Sequence, residues 1–330
     1  MNILLASAEV SPFAKTGGLA DVTHSLPMEW NRHGQNVIVV MPKYEFIDVD
    51  RFGFEPTNKI LYVPIDGWME FARLWEGTMP GSSVPVYLIE NKDYFDRTEI
   101  YGDPDEYPDN DRRFIFFSRA IFEAARALNF KPDIIHAHDF HSAFAMAFLK
   151  SQYRSHPMFS KTAGVLTIHN LSYQGWFEPK RALHFSGFGM DQFYPGSWFE
   201  FHGAVNAMKV GIMFADKITT VSPTYANEIR TEEYGHGLQD VLNVRGADVI
   251  GVLNGVYYND WDPKNDKYIS HKYNTENLLA KKENKHEFLK NYGYSEDENL
   301  DMPLVGMVTR LTHQKGIDLL RSRIEDFIKD

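Results

Sequence analysis

Two basic, glycine-containing loops near opposite ends of the chain have the residue types that bind phosphate groups. Each follows a short apolar run typical of a buried strand. Glycine lets a ligand approach the backbone amides, and a helix N-terminus adds partial positive charge to that of a lysine. The two loops predict a diphosphate held between two α/β units. Their residues are Lys15, Gly17 and Gly18 in the first loop, and Arg310 and Lys315 in the second.

Three histidines and an aspartate cluster after a predicted strand: His136, His138, Asp139 and His141. Such a cluster could bind metal, which would make the protein a metal-dependent hydrolase. Binuclear hydrolases use His-x-His-x-Asp-His, whereas here the aspartate directly follows the second histidine. Strand alternation also separates His136 and His138 from Asp139. We therefore expect no metal site, and a structural role in which the histidines bond to neighbouring loops also explains His136 and His138.

A further histidine, His169, follows the next predicted strand at residues 165–168. In open α/β sheets the carboxyl ends of the strands form the ligand-binding edge. His169 and Asn170 should therefore emerge beside Asp139. This placement favours a functional role for His169 over a purely structural one.

The composition excludes several classes of protein. The 330-residue chain has a net charge of -11, which argues against a nucleic-acid partner, and its lack of cysteine excludes disulfides, cysteine nucleophiles and thiolate zinc sites. No apolar run approaches the ~18 residues of a transmembrane helix. The N-terminal apolar run is too short for a signal peptide. We expect a cytoplasmic protein, or the mature form of an organellar one, without a membrane partner.

Strand and helix patterns alternate over the first two thirds of the chain, which predicts an α/β fold with a doubly wound parallel sheet. Residues 59–65, 70–75 and 84–89 indicate a small antiparallel insertion. We expect a first domain over 1–245, a connector and helix over 246–300, and the start of a second domain over 301–330. The last part should contain a strand at 303–308 and a helix at 316–329, and the 281–285 run should be the solvated face of a helix.

Seven ordered segments of the chain resemble the glycogen and starch synthases. These are retaining glucosyltransferases of the GT-B fold, built from two Rossmann-like domains, that extend α-1,4-glucans from a sugar nucleotide. The resemblance covers nearly the whole chain. Its segments are residues 9–22, 109–114, 136–139, 169–175, 221–226, 251–256 and 310–316.

The resemblance implies a role for each candidate residue. Lys15 would contact the nucleotide sugar, with Gly17 and Gly18 offering amides. Arg310 and Lys315 would grip the diphosphate. The remaining candidates would line the active-site cleft: His169 beside the transferred glucose, Asn254 as a polar contact near the sugar, and Asp139 and Tyr101 with less defined roles.

The same resemblance implies an α-1,4-glucan acceptor, ADP-glucose or UDP-glucose as donor, and neither metal nor cofactor. Family members continue for more than a hundred residues and supply a glutamate region in the second domain. We therefore expect negligible glucosyl transfer from this chain alone. The alternatives are a non-catalytic fragment that binds a sugar nucleotide or glucan, and the metal-dependent hydrolase.

Overall fold

The computed structural model describes residues 1–65, 67–102, 105–294, 302–309, 311 and 315–329. It divides into two compact units, Met1–Val256 and Tyr257–Asp330. Arg310, one of the predicted phosphate-binding residues, lies outside the described residues.

The strands of the first unit form two sheets, one of nine strands and one of three. The strands are β1 (Asn2–Ala6), β2 (Asn36–Pro42), β3 (Glu55–Ile65), β4 (Trp68–Thr78), β5 (Pro85–Glu90), β6 (Ile134–His138), β7 (Ala163–Ile168), β8 (Trp176–Phe177), β9 (Glu200–Phe201), β10 (Ala204–Asn206), β11 (Lys217–Thr220) and β12 (Val249–Gly251).

Helices connect most of these strands, and two more lie in the second unit. The helices are α1 (Gly18–Arg32), α2 (Val49–Phe52), α3 (Lys92–Phe95), α4 (Asn110–Ala127), α5 (Phe140–Lys150), α6 (Pro179–Ser186), α7 (Ala207–Phe214), α8 (Pro223–Glu228), α9 (Gln239–Arg245), α10 (Leu279–Asn291) and α11 (Ile317–Lys329). Short 3₁₀ turns occur at Met190–Gln192 and Gly246–Asp248.

The large sheet has the strand order β12-β11-β7-β6-β1-β2-β5-β4-β3. From β12 to β5 every neighbouring pair is parallel. Parallel strands that are covered on both faces have continuous apolar sequences. The sequences of β1 and β2 are of this kind. The predicted α/β fold with a largely parallel sheet is confirmed. The order changes direction between β1 and β6, which brings the carboxyl ends of β1, β6 and β7 together at one edge.

The predicted antiparallel insertion is part of this sheet. Strands β3 and β4 form a long antiparallel hairpin at the sheet edge. Strand β5 pairs antiparallel with β4 but parallel with β2. The prediction that all three stretches are antiparallel within an insertion was therefore wrong for β5. Its residues Val86–Ile89 are buried because they lie inside the sheet between two partners.

The first unit extends past the predicted boundary at residue 245. Strand β12 pairs in parallel with β11, with Ile218 opposite Val249, so it completes the main sheet. Strand β12 is therefore part of the first unit, which ends at Val256.

The second unit contains α10 and α11 within its described residues. The predicted helix at 316–329 is confirmed by α11. The run at 281–285 lies in α10, none of whose residues is buried, so the prediction of a solvated helix face is also confirmed. The predicted strand at 303–308 was wrong, because residues 302–309 have no strand hydrogen bonding. A strand needs a partner for its amides, and the described part of this unit provides none.

No helix among the described residues has both the length and the apolar character needed to cross a bilayer.

Candidate active site

The loop after β1 places Lys15 just before the first turn of α1. Its Nζ lies 2.6 Å from Oδ1 of Asp21, and both side chains are nearly half exposed. Gly17 is the residue before the helix and Gly18 begins it. A Cβ at either glycine would meet no atom of the described chain within 4 Å. This side of the turn is therefore open to a ligand.

A buried carboxylate holds the same turn from the other side. Oε2 of Glu9 accepts hydrogen bonds from the backbone N–H of Thr16 at 2.6 Å and of Gly17 at 3.2 Å. Oε1 accepts from the Thr16 hydroxyl at 2.7 Å and from the Tyr101 hydroxyl at 2.6 Å. Four donors thus converge on one carboxylate. The Gly17 amide, expected to face a phosphate, is bonded to Glu9 instead.

Tyr101 joins this turn to the centre of the site. Its ring stacks on that of His141, with centroids 4.5 Å apart and an interplanar angle of 22°. Burial, reinforced by the Glu9 carboxylate, raises the pKa of the Tyr101 hydroxyl well above its usual value. The hydroxyl therefore stays protonated at neutral pH and remains a donor to Glu9.

Asp139 and His169 lie in contact, as their positions after β6 and β7 predicted. Oδ1 of Asp139 accepts the backbone N–H of His169 at 2.7 Å, and the Asn170 amide also contributes. Asp139 has a φ of 54°, a strained conformation for a residue with a side chain. Burial raises the pKa of its carboxyl to about 7, although the two amides act in the opposite direction. Its carboxylate therefore holds the backbone of the His169 loop.

Two histidines of the cluster, His136 and His138, bond to neighbouring side chains. Nδ1 of His138 lies 2.9 Å from Nε2 of His169, and Nε2 of His136 lies 2.5 Å from the hydroxyl of Thr167. Burial lowers the pKa of His136 to about 3 and that of His169 to about 4. Both rings are therefore neutral at physiological pH. Across the described residues, no three His, Asp or Glu side chains are grouped so as to hold a metal ion.

Two further candidates, Asn254 and Lys315, are exposed. Asn254 follows β12 on the surface, and its backbone N–H donates to the carbonyl of Val221 at 3.3 Å. Lys315 lies in the second unit and is exposed. The structure thus brings together Lys15, Gly17, Gly18, Tyr101, Asp139 and His169 around the carboxyl ends of β1, β6 and β7.

Comparison with known proteins identifies the family. The family model for the starch synthase catalytic domain matches residues 2–244. The chain belongs to this family. Glycogen synthase 1 of Geobacter sulfurreducens is 43% identical over 98% of this chain and 64% of its own length, and the Bacillus subtilis glycogen synthase is 42% identical over 100% and 66%. The chain therefore spans just under two thirds of the first of these relatives.

A solved starch synthase structure matches the fold over the same extent. It is the catalytic domain of starch synthase IV from Arabidopsis thaliana bound to ADP and acarbose, 35% identical to this chain. The TM-score is 0.89, over 99% of this chain and 66% of that one.

Glu9 is the residue of this starch synthase domain that sequence reasoning missed. It lies inside one of the family-like segments, but no role was expected for it. A signal was present, because Glu9 stands between Ala8 and Val10 directly after a buried strand. A buried carboxylate requires hydrogen-bond partners, and the nearest unpaired donors in sequence are the amides before α1.

We expect Glu9→Gln to destabilise this starch synthase domain by about 1–3 kcal/mol. A glutamine has only one acceptor oxygen, so at least one of the four part-buried donors loses its partner. Urea unfolding at neutral pH measures the loss. Glu29→Gln, a half-exposed surface change, serves as the control and should alter stability by less than about 0.5 kcal/mol. Equal effects of the two substitutions would contradict a structural role for Glu9.

Proposed function

We propose that this chain is part of a retaining glucosyltransferase that transfers glucose from ADP-glucose to the non-reducing end of an α-1,4-glucan. The observation that carries the proposal is the match, over 99% of the chain, to a starch synthase domain bound to ADP and acarbose. That structure binds an adenine nucleotide and a glucan-like oligosaccharide. By analogy we favour ADP-glucose as the donor here, with UDP-glucose as the alternative.

Lys15 would supply a positive charge to the donor at the open side of the α1 turn. Its salt bridge with Asp21 is nearly half exposed, and such pairs contribute little free energy. Lys15 can therefore leave Asp21 for a ligand at small cost. Arg310 and Lys315 would stabilise the negative charge that develops on the departing diphosphate, which is the largest contribution expected of the protein in this kind of transfer.

Asp139 and His169 would position the sugar rather than exchange protons. His169, with a pKa lowered to about 4, is uncharged at neutral pH and would contact the transferred glucose, while Asn254 would contribute a polar contact near the sugar. The carboxylate of Asp139 already accepts the His169 amide. In the reaction that the family resemblance implies, the leaving phosphate takes the proton of the acceptor hydroxyl.

The proposal includes neither a metal ion nor a cofactor, since cationic side chains would compensate the diphosphate charge. The partners would be the sugar nucleotide and the glucan, without nucleic acid or membrane. We further propose a cytoplasmic location. The first unit, which includes residues 1–245, would be the acceptor-side domain, and residues 301–330 would belong to the nucleotide-binding domain.

A non-catalytic binding fragment is the second candidate. Residues 302–309 form no strand, and Val305 and Val308 are exposed by 70% and 104%. A phosphate-binding loop needs a fixed backbone to align its donors. Without strand pairing, the described residues 302–309 do not provide such a backbone before Lys315.

The test compares the 330-residue chain with a version extended to the length of its relatives. Each is incubated with labelled ADP-glucose or UDP-glucose and glycogen, with and without a chelator. We expect ADP-glucose-dependent, chelator-insensitive incorporation by the extended protein and negligible incorporation by the 330-residue chain. Absence of transfer by the extended protein with either donor would contradict the proposal, and stoichiometric bound metal would revive the hydrolase.

A further inference from the structure

The contact between the rings of His138 and His169 requires a defined arrangement of protons. The two nitrogens are 2.9 Å apart, and burial lowers the pKa of both rings, so both are neutral at physiological pH. A neutral imidazole has one N–H donor and one acceptor nitrogen. One ring must therefore donate and the other accept.

The surroundings of His138 decide which of the two rings donates the hydrogen bond. Its Nε2 is buried and has no hydrogen-bond partner among the described residues. A proton on Nε2 would leave an N–H donor buried and unpaired, which is the rarer and costlier arrangement in proteins. The proton therefore belongs on Nδ1, where it is donated to Nε2 of His169.

The protein holds the ring of His138 and the backbones of both histidines. The backbone N–H of His138 donates to the Ser142 hydroxyl at 2.8 Å. The ring of His138 stacks on that of His136, with centroids 4.4 Å apart. The backbone of His169 is held by Asp139 at 2.7 Å. Stacking thus restrains the ring of His138, and the two hydrogen bonds fix the backbone positions from which both rings extend.

We propose that His138 is a positioning residue that fixes His169 as the Nδ1–H tautomer. Nε2 of His169 is occupied by His138, so its remaining polar group is an N–H donor at Nδ1. No hydrogen bond to a described residue uses that group. His169 can then donate to an oxygen of the bound sugar but cannot act as a base, because its lone pair is already accepting. The use of this donor toward a sugar rests on the proposed function, whereas the tautomer itself does not.

Nuclear magnetic resonance of the full chain with ¹⁵N-labelled histidine tests the tautomer without any substrate. Long-range ¹H–¹⁵N correlations at neutral pH distinguish a protonated from an unprotonated ring nitrogen, and His169→Gln identifies the signals. We expect Nδ1 of His169 to be protonated and Nε2 to be unprotonated. A proton on Nε2 of His169 would overturn the proposal, whatever the transfer assay shows.

A pair of matched variants tests whether His138 causes this state. His138→Phe keeps an aromatic ring stacked on His136 but cannot donate, so the Nε2–H form of His169 should become populated. His136→Phe changes the neighbouring ring and leaves the donor in place, so His169 should stay in the Nδ1–H form. An unchanged His169 spectrum in folded His138→Phe would overturn the proposal. The wild-type spectrum remains decisive if this variant does not fold.

Discussion

Lys15→Ala is expected to lower ADP-glucose-dependent transfer by about 100-fold or more in the protein extended to the length of its relatives. Lys15 is the lysine beside the open Gly17–Gly18 turn, and its only described partner is Asp21 at 2.6 Å. Removing one preorganised charge-stabilising group from an active site costs about 10²–10³ in rate. A charge-assisted contact to the donor would be lost without replacement.

The measurement is kcat/KM for the donor, with two comparison variants. Lys15→Arg keeps the charge but changes its shape, and should recover part of the activity. Lys161→Ala removes an exposed lysine just before β7, at the opposite end of that strand from the site, and should leave transfer unchanged. Near-normal kcat/KM in Lys15→Ala would remove Lys15 from the proposed site.

Acidification from pH 7.5 to 5 is expected to destabilise the first unit through its buried histidines. Four of them have a folded pKa below the unfolded value of about 6.5, so the unfolded state binds more protons and stability falls as the pH drops below that value. His136, lowered to about 3, alone contributes a loss of about 2 kcal/mol at pH 5. The pKa values of His138, His141 and His169 are shifted in the same direction.

Asp139 acts with the opposite sign. Its pKa is raised to about 7, so the folded state binds the proton more tightly and gains stability as the pH falls from 7 toward about 4. This gain roughly offsets the loss of stability that one buried histidine contributes. We therefore expect a net loss of stability when the pH falls from 7.5 to 5.

Urea unfolding at pH 7.5 and 5 measures this dependence, and two substitutions separate the contributions. His136→Gln should make the loss smaller by about 2 kcal/mol, since glutamine does not titrate. Asp139→Asn should make the loss larger, because it removes the opposing group. His33→Gln, a change at an exposed residue, should leave the loss of stability between pH 7.5 and 5 as it is in the unsubstituted protein. Stability that is constant or rises on acidification would show that the buried histidines do not control it.

The sequence predicted the part of the site that depends on strand ends. Asp139 and His169 follow adjacent parallel strands, and the geometry of such a sheet places them side by side whatever the details of packing. The hydrogen-bond partners could not be predicted in this way. Which donors surround Glu9 depends on how the loop carrying Tyr101 folds back over a segment some ninety residues earlier.

The errors in the predicted strands have a common cause. Local composition indicates that a stretch is extended, but pairing depends on residues elsewhere in the chain. Strand β5 is antiparallel to β4 and parallel to β2 because it lies between them. Residues 303–308 have the apolar composition of a buried strand, yet the described part of the second unit offers no neighbour.

The four hydrogen bonds to Glu9 have a consequence for the thermodynamics of donor binding. Three of them order the Thr16–Gly17 turn during folding, so the conformational entropy of that turn is already lost before a ligand arrives. Binding of the proposed donor would then need only a movement of the Lys15 side chain, and the entropic penalty of ordering this turn around the ligand would be avoided. Loosening the turn would weaken donor affinity mainly through entropy, even with Lys15 intact.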